Sequence, residues 1–303
     1  MYKRVSPQDE CLATRYIRVE GQNVFEIKTN ESDVVDIIFD NSSIGEQLGE
    51  NHVIGSLQLV KTDCINSFFE VHKYRDIKEE KSVYPNRKIV FPNGEMIFNV
   101  YPNNSIIKTN EDTNEAFVLA GNFDVLLFYC KKYFREMVSR FYESQHCVAI
   151  HCSGVNIDGM ANIFVADANC GKSTTAINAV GCGARLLNDD VIICRKQGDN
   201  VMVKGLPIIP SIRQEGVQFI TGIDVVSQNK YFSEYVQSYY MRDMSLDSSW
   251  HILNKVIFLN KGQIQETELR EKLRRQYGLP VEDWNIQGSI KELCEKLSLD
   301  RGR

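Results

Sequence analysis

The order of apolar and polar residues divides the chain into a β-rich first third and a mixed remainder. Up to residue 110, short runs of β-branched and aromatic residues alternate with polar turns such as residues 21–23 and 92–94. Runs of this kind are typical of strands joined by tight turns, and they predict an antiparallel module. The predicted strands are residues 16–19, 24–27, 34–39, 57–60, 68–72, 88–91 and 96–100.

A polar connector, residues 103–104 and 108–114, follows this module. It predicts a boundary between a β-rich N-terminal module, residues 1–110, and a second domain, residues 111–303. Beyond it, Asn122 is a candidate N-cap for a helix whose apolar residues recur at steps of three and four. These apolar residues are Leu126, Cys130, Phe134, Met137 and Phe141.

Two apolar runs then flank Asp158 and Gly159, a pair that strongly favours a two-residue hairpin turn. The second run ends in a loop of small residues closed by Gly-Lys-Ser, after which residues 175–180 predict a helix. A strand, such a loop and a helix together are the layout of a phosphate-binding loop. Four further strands, a long loop or lid and two helices are predicted after it. These are residues 184–187, 191–194, 201–203 and 256–259, then 225–249, then 266–277 and 290–299.

The predicted loop suits an anionic ligand for a physical reason. The first N–H groups of a helix lack partners within the helix and carry the positive end of its dipole. Lys172 is expected to reach the outer phosphates of a nucleotide, and the hydroxyl of Ser173 to hold Mg²⁺. A chance Gly-Lys-Ser at an ordinary helix start is the alternative. The candidate nucleotide-binding residues are Ala166, Asp167, Ala168, Asn169, Cys170, Gly171, Lys172, Ser173 and Thr174.

Two adjacent carboxylates, Asp189 and Asp190, follow the next predicted strand. The distance from Lys172 accommodates one helix, one turn and one strand, so the pair is predicted to lie beside the loop. Phosphoryl transfer with Mg²⁺ uses one carboxylate on the metal and another that accepts the proton of the attacking hydroxyl. A solvated turn is the alternative interpretation, but buried-type residues flank the pair on both sides.

Composition narrows the classes of function. The net charge of −5 and pI near 5.7 argue against a nucleic-acid scaffold. The cysteine count of nine is odd and no pair has C-x-x-C spacing, which favours reduced thiols over a disulfide framework or a zinc ribbon. No apolar run approaches the roughly 20 residues of a membrane span. We therefore expect a cytoplasmic protein without nucleic-acid or membrane partners, and the sequence leaves a homo-oligomer open.

Residues 147–215 resemble HPr kinase/phosphorylase and its kinase-like relatives, which share a nucleotide core with ATP-dependent phosphoenolpyruvate carboxykinases. In that family a His opens a strand pair fifteen residues before the loop, and His151 stands fifteen residues before Ala166. Asp167 matches the second position of the family loop. Residues 203–209 also look like the family's Ile-Arg-Gly-Leu-Gly-Ile-Ile segment.

The resemblance implies an α/β fold: a P-loop-containing core of mixed sheet with flanking helices, plus the N-terminal β-rich module. It implies ATP and Mg²⁺ as cofactors, with Lys172 on the β- and γ-phosphates and with Ser173 and Asp190 on the metal. Asp189 would be the catalytic base, although the two Asp roles are interchangeable on sequence alone. His151 would lie near the transferred phosphate or the base. Arg213 is a further candidate for phosphate charge.

Departures from the family pattern shape the expected function. Ala166 and Asn169 replace loop glycines, Met202 stands where an acidic residue is expected, and residues 1–110 do not resemble the N-terminal domain of true HPr kinases. The expectation is a divergent kinase that transfers the γ-phosphoryl group to a hydroxyl, most simply Ser of a peptide or protein. A small-molecule kinase for an amino acid or sugar, and a nucleotide-binding regulatory module without catalysis, are the alternatives.

Overall fold

Two compact units, Met1–Val138 and Ser139–Arg303, make up the chain in a computed structural model. The structure describes residues 12–47, 49–62, 75–80, 86–90, 97–101, 105–110, 112–221, 223–225, 231–241, 244–260 and 281–285. Sheets dominate both units and helices are few, which confirms the mixed α/β class. The predicted strand at 68–72 and the predicted helices at 266–277 and 290–299 lie outside the described residues.

The first unit contains a nine-stranded sheet with the spatial order β3-β1-β2-β4-β9-β8-β7-β6-β5. Its strands are β1 (Ala13–Glu20), β2 (Asn23–Thr29), β3 (Ile44–Gly45), β4 (His52–Lys61), β5 (Arg75–Glu80), β6 (Asn86–Val90), β7 (Ile97–Tyr101), β8 (Ser105–Asn110) and β9 (Glu115–Ala120). The prediction of a purely antiparallel module is wrong, because β4 runs parallel to both β2 and β9. Parallel neighbours need a crossover, and a helix between β2 and β4 helps to provide one.

That helix, α1 (Asp33–Ile38), lies where the sequence predicted a strand at residues 34–39. Val34, Val35, Ile37 and Ile38 are buried, which is the three-and-four spacing of a helix face. The β-branched composition favoured a strand, but burial of one helical face against the sheet decides the local structure.

The polar segment at 103–114 is not a linker between the sheets. Its described part contains β8, which pairs antiparallel with β9 in the same sheet. The domain boundary expected at residue 110 thus falls inside the first unit, and the separate roles of the two domains stay predictions. The predicted long helix is confirmed as α2 (Phe123–Ser144), and the side chain of Asn122 accepts the N–H of Asp124 at 2.7 Å, as expected of an N-cap.

The second unit contains an eight-stranded sheet and a small three-stranded sheet. Its strands are β10 (Val148–His151), β11 (Ser153–Ile157), β12 (Met160–Val165), β13 (Arg185–Asn188), β14 (Val191–Gln197), β15 (Asn200–Gly205), β16 (Ser211–Arg213), β17 (Phe232–Ser233), β18 (Ser238–Tyr240), β19 (His251–Asn260) and β20 (Val281–Asn285). The large sheet has the order β10-β14-β15-β19-β12-β11-β13, with β20 also paired to β19. All strands predicted between residues 184 and 259 are confirmed.

The hairpin predicted at Asp158 and Gly159 joins β11 to β12, and both residues have positive φ, 51° and 86°. Such angles at both central positions are the geometry of a type I′ turn. Strand β12 leads into the small-residue loop, and α3 (Lys172–Gly181) follows the loop. This helix packs on β11, β12 and β13. Ala176 and Ala179 allow this close approach, packing in a cluster that includes Phe164 and Ile257.

The long loop or lid predicted at 225–249 is partly wrong. Strands β17 and β18 pair with each other, and β18 pairs with β16. Farther on, Leu246 bridges to Leu186 and packs under α3, so this part of the segment is built into the unit. Aromatic pairing supports the small sheet, because Phe232 and Tyr239 lie 4.6 Å apart between ring centroids.

Two further expectations concern cysteines and membranes. Cys182 is disulfide-bonded, which corrects the expectation that the thiols are reduced. In the described part of the chain, no helix is both long and apolar enough to cross a membrane. The free cysteines of that part include Cys130, Cys147, Cys152, Cys170 and Cys194.

Candidate functional site

The loop between β12 and α3 adopts a left-handed backbone conformation at two positions, and both are occupied by residues that tolerate it. Asn169 and Gly171 have positive φ, 63° and 90°, whereas Ala166 is not among the described residues with positive φ. Asn tolerates this region better than most residues, because its short polar side chain can bond locally. Ala166 is buried, with 4% exposure, in the cluster under α3. Neither glycine replacement therefore obstructs the loop.

Lys172 begins α3, and its side chain folds back over the loop. Its Nζ donates to the carbonyl oxygens of Ala166 at 2.7 Å and Asp167 at 3.1 Å. The ammonium has three N–H donors, so a third bond, to an anionic oxygen, is compatible with these two contacts. The side chain is buried, which makes this positive charge more effective toward a phosphate than it would be in water.

The acid pair lies directly beside the start of α3. The hydroxyl of Ser173 donates to the backbone oxygen of Asp189 at 3.3 Å, and the hydroxyl of Ser153 donates to the same oxygen at 2.9 Å. Asp189 and Asp190 are only 5% and 9% exposed, so the alternative of a solvated turn is excluded. The first turn of α3 and the end of β13 thus share one hydrogen-bonded junction.

The two carboxylates have different partners. Oδ2 of Asp189 accepts the backbone N–H of Ser211 at 3.0 Å. Oδ1 of Asp190 lies 3.0 Å from Nδ1 of His151, which is also 2.9 Å from the backbone oxygen of Asp190. A proton on Nδ1 would be shared by these two oxygens and would leave Nε2 as the basic ring nitrogen. His151 was predicted to lie near the transferred phosphate or the base Asp189, and its described contacts are with Asp190.

The thiol of Cys152 is buried and is affected by the charges of both Lys172 and Asp190. Burial, and secondarily Cys194, raise the pKa of Cys152 well above its ordinary value. The positive charge of Lys172 lowers this pKa and the negative charge of Asp190 raises it. Cys152 lies between the end of β10 and the start of β11.

The residues present fit a nucleotide with Mg²⁺. The first turn of α3 and Lys172 would face an anion, and the Ser173 hydroxyl and Asp190 carboxylate would supply hard oxygen ligands to the metal. Within the described ranges, no group of three or more His, Cys, Asp or Glu side chains could hold a metal alone. Mg²⁺ is usually bound by one or two carboxylates together with substrate phosphates.

Not every candidate belongs to this junction. Arg213 is largely exposed and lies 3.8 Å from the carboxylate of Glu215 on the adjacent 3₁₀ helix (Gln214–Phe219), so an exposed ion pair is its described contact. Asp167, Ala168 and Asn169 are exposed on the loop, and Cys170 is half-buried. The phosphate contacts expected of these loop residues stay predictions.

Three residues at this junction were not predicted from the sequence: Ser153, Asn188 and Ser211. Ser153 and Ser211 bond to Asp189 across a long distance in sequence, whereas Asn188 accepts the backbone N–H of Asp190 two residues ahead. Asn188 alone carried a local signal, because Asn followed by two residues of a turn often accepts their N–H groups.

A second polar cluster surrounds the buried Asp247 in the same unit. Its carboxylate accepts the amide of Asn156 at 2.9 Å and lies 3.0 Å from Nε2 of His251 and 3.5 Å from Arg185. Burial alone would raise the pKa of Asp247, but the bonds from Asn156 and His251 outweigh it and lower the pKa below 3.8. The backbone N–H of Asp247 also donates to Leu186 at 2.7 Å, so this cluster fastens residues 244–249 to β13.

Comparison with solved structures finds matches, among them a distant likeness to a kinase/phosphatase. The chain is similar to the HPr(Ser) kinase/phosphatase from Coxiella burnetii, with 19% identity and a TM-score of 0.30. The match covers 50% of this chain and 95% of that one. No family model and no curated protein matches the chain. At this identity and TM-score, the likeness carries no function over to this chain.

Proposed function

We propose that this protein is an ATP- and Mg²⁺-dependent kinase that transfers the γ-phosphoryl group to a hydroxyl, most simply Ser of a peptide or protein. One observation carries the proposal: Ser173, in the first turn of α3, lies 3.3 Å from the backbone of Asp189. A candidate phosphate-binding helix end and two buried carboxylates therefore meet at one place. That combination provides both charge stabilisation and proton acceptance, the two needs of phosphoryl transfer.

In the proposed reaction, the acceptor oxygen forms a bond to the γ-phosphorus as the bond to the bridging oxygen of ADP breaks. The hydroxyl proton passes to the carboxylate of Asp189. Lys172 and the N–H groups at the start of α3 balance the charge on the phosphate oxygens. Mg²⁺, held by Ser173 and Asp190, would neutralise the phosphate charge and orient the donor.

His151 has a supporting role in this scheme. Its ring lies 3.0 Å from Asp190, and its side chain is 64% exposed, so it is accessible from solvent. A protonated His151 would draw negative charge away from Asp190, and a neutral one would orient its carboxylate. The acceptor class rests on the resemblance of residues 147–215 to HPr-kinase-like proteins.

The proposal is tested with the purified full chain, γ-labelled ATP, Mg²⁺ and a panel of Ser-containing peptides, proteins, amino acids and sugars. Asp189→Asn should lower the transfer rate by about 10²–10⁴-fold, the usual contribution of a general base. Nucleotide affinity, measured by calorimetry, should stay within about threefold of wild type, because the loop and Lys172 are unchanged. Asp199→Asn, in the exposed turn between β14 and β15, is the matched control and should transfer at the wild-type rate.

The outcomes separate the functions. Transfer to a free amino acid or sugar, but not to peptides, would establish the small-molecule kinase instead. ATP binding without transfer to any acceptor and without slow hydrolysis would establish a nucleotide-binding regulatory module. Full activity of Asp189→Asn would remove Asp189 from its role as base.

A further inference from the structure

The last residue of β13, Asn188, is completely buried, and its side-chain amide makes three described hydrogen bonds next to the acid pair. Its Oδ1 accepts the backbone N–H groups of Asp190 at 2.8 Å and of Val191 at 3.0 Å. Its Nδ2 donates to the backbone oxygen of Leu206 at 2.8 Å. A single side chain therefore joins the turn that carries the carboxylates to the segment after β15.

The first two bonds fix the backbone conformation of the acid pair. A side-chain oxygen that accepts N–H groups two and three residues ahead forms an Asx turn, which sets the direction in which the intervening residues leave the strand. Asp189 and Asp190 are those intervening residues. Loss of this acceptor would remove a buried hydrogen bond from each of two backbone N–H groups, at a cost of about 0.5–1.5 kcal/mol each.

The third bond connects Asn188 to the partner of the Asp189 carboxylate. The segment that begins at Leu206 leads to Ser211, whose N–H donates to Oδ2 of Asp189 at 3.0 Å. Asn188 thus contacts both the turn that carries the acid pair and the segment from Leu206 to Ser211, which contacts the carboxylate of Asp189. An aspartate at this position would keep the acceptors of the turn but lose the donor to Leu206.

We propose that Asn188 is a positioning residue, which sets the carboxylates of Asp189 and Asp190 for metal binding and proton acceptance without touching substrate. The inference rests on the proposed function of the site. The geometry of the two carboxylates is thereby assigned to the side-chain amide of Asn188, a residue that was not among the predicted site residues. A displacement of about 1 Å at a reacting group can cost about 10²-fold in rate.

The variants Asn188→Ala and Asn188→Asp test this role, with Asn156→Ala as the matched control. Asn156 is also a buried asparagine of the same sheet, but its amide bonds to Asp247 rather than to the acid pair. Both Asn variants at 188 should lower kcat by about 10–100-fold and leave the Kd for ATP within about threefold. Asn156→Ala should lower the melting temperature to a similar extent with unchanged kcat. Thermal melting of each variant establishes how much folded protein is compared.

A second readout does not depend on an acceptor. Mn²⁺ replaces Mg²⁺ in an electron paramagnetic resonance titration with a non-hydrolysable ATP analogue. Asn188→Ala should weaken Mn²⁺ binding in the nucleotide complex by about tenfold, and Asn156→Ala should not change it. If wild type transfers no phosphoryl group but Asn188→Ala still weakens Mn²⁺ selectively, the proposed function fails and the positioning role stands. Equal effects of the 188 and 156 variants on kcat and on Mn²⁺, or no Mn²⁺ binding by wild type, would overturn the role.

Discussion

The end of β15 approaches the end of β13 so closely that only glycine fits at position 205. A Cβ built on Gly205 would lie 1.9 Å from the backbone oxygen of Leu187 and 3.1 Å from Cβ of Asn188. Carbon and oxygen atoms that are not bonded rarely approach within about 3.3 Å, so Gly205→Ala must move one backbone segment by more than about 1 Å. Leu187 and Asn188 directly precede the acid pair, so the displacement reaches the candidate site.

The expected cost follows from two contributions. Forcing an extra carbon into a packed position costs about 1–3 kcal/mol and occasionally more, because backbone rather than a flexible side chain must yield. The displaced segments also strain the bond from Asn188 to Leu206, worth about 1 kcal/mol. A total near 3 kcal/mol lowers the melting temperature of a unit of this size by roughly 6–12 °C. Activity should fall further than the folded fraction explains.

Differential scanning calorimetry and the transfer assay measure both effects in Gly205→Ala. Gly45→Ala is the control, since its nearest neighbour to an added Cβ is a backbone oxygen at 3.7 Å, an ordinary contact. Its melting temperature should stay at the wild-type value or rise slightly, because Ala restricts the unfolded chain. A Gly205→Ala protein with wild-type melting temperature and activity would refute the close approach of β13 and β15.

Three further predictions concern the loop, its thiol and the second polar cluster. Asn169→Gly should stabilise the chain by up to about 1 kcal/mol with nucleotide affinity retained, because φ is positive at this position. Ala166→Gly should destabilise the chain, and denaturant titration measures both effects. Iodoacetamide should alkylate half-buried Cys170 in the absence of nucleotide, and at least about fivefold more slowly with Mg·ATP, as measured by peptide mapping. Cys194 should stay unreacted, because burial raises its pKa to about 12. Asp247→Asn should cost about 1.5–3 kcal/mol at pH 7, from lost charged hydrogen bonds. Since the folded pKa of Asp247 is lowered, its contribution is present above the unfolded value near 3.8 and is lost as pH falls through the folded pKa, so the difference between wild type and variant should shrink in acid melts. Equal stability of the Asn169 and Ala166 variants would contradict the first prediction, and alkylation of Cys170 at the same rate with and without Mg·ATP would contradict the second. An effect of Asp247→Asn that does not change with pH would contradict the third.

Sequence reasoning succeeded where the signal is local. The turn at Asp158 and Gly159, the N-cap at Asn122 and the helix after the loop each depend on neighbours in sequence, and each is present. The strand predicted at 34–39 failed because composition was weighed above spacing. The four buried aliphatic residues there, with Asp33 and Asp36 on the other side, already have the period of a helix.

The parts that the sequence could not provide are long-range. The parallel pairing of β4 with β2 and β9 depends on where the chain returns after crossing over, which no local pattern encodes. The bond from Ser211 to Asp189 likewise joins residues on different elements. The cluster at Asp247 escaped notice for the same reason, because its partners Asn156 and His251 come from separate strands.

The way in which the acid pair is held also determines how its variants should be interpreted. Ser153 and Ser173 donate to the backbone oxygen of Asp189, and Asn188 accepts the backbone N–H of Asp190, so these contacts do not depend on which side chain occupies 189. The N–H of Ser211 donates to a side-chain oxygen of Asp189, and asparagine also possesses such an oxygen. Asp189→Asn therefore removes the charge and the proton acceptor while it preserves the turn. A loss of transfer in that variant can be assigned to chemistry, whereas the same loss in Asn188→Ala must be assigned to position.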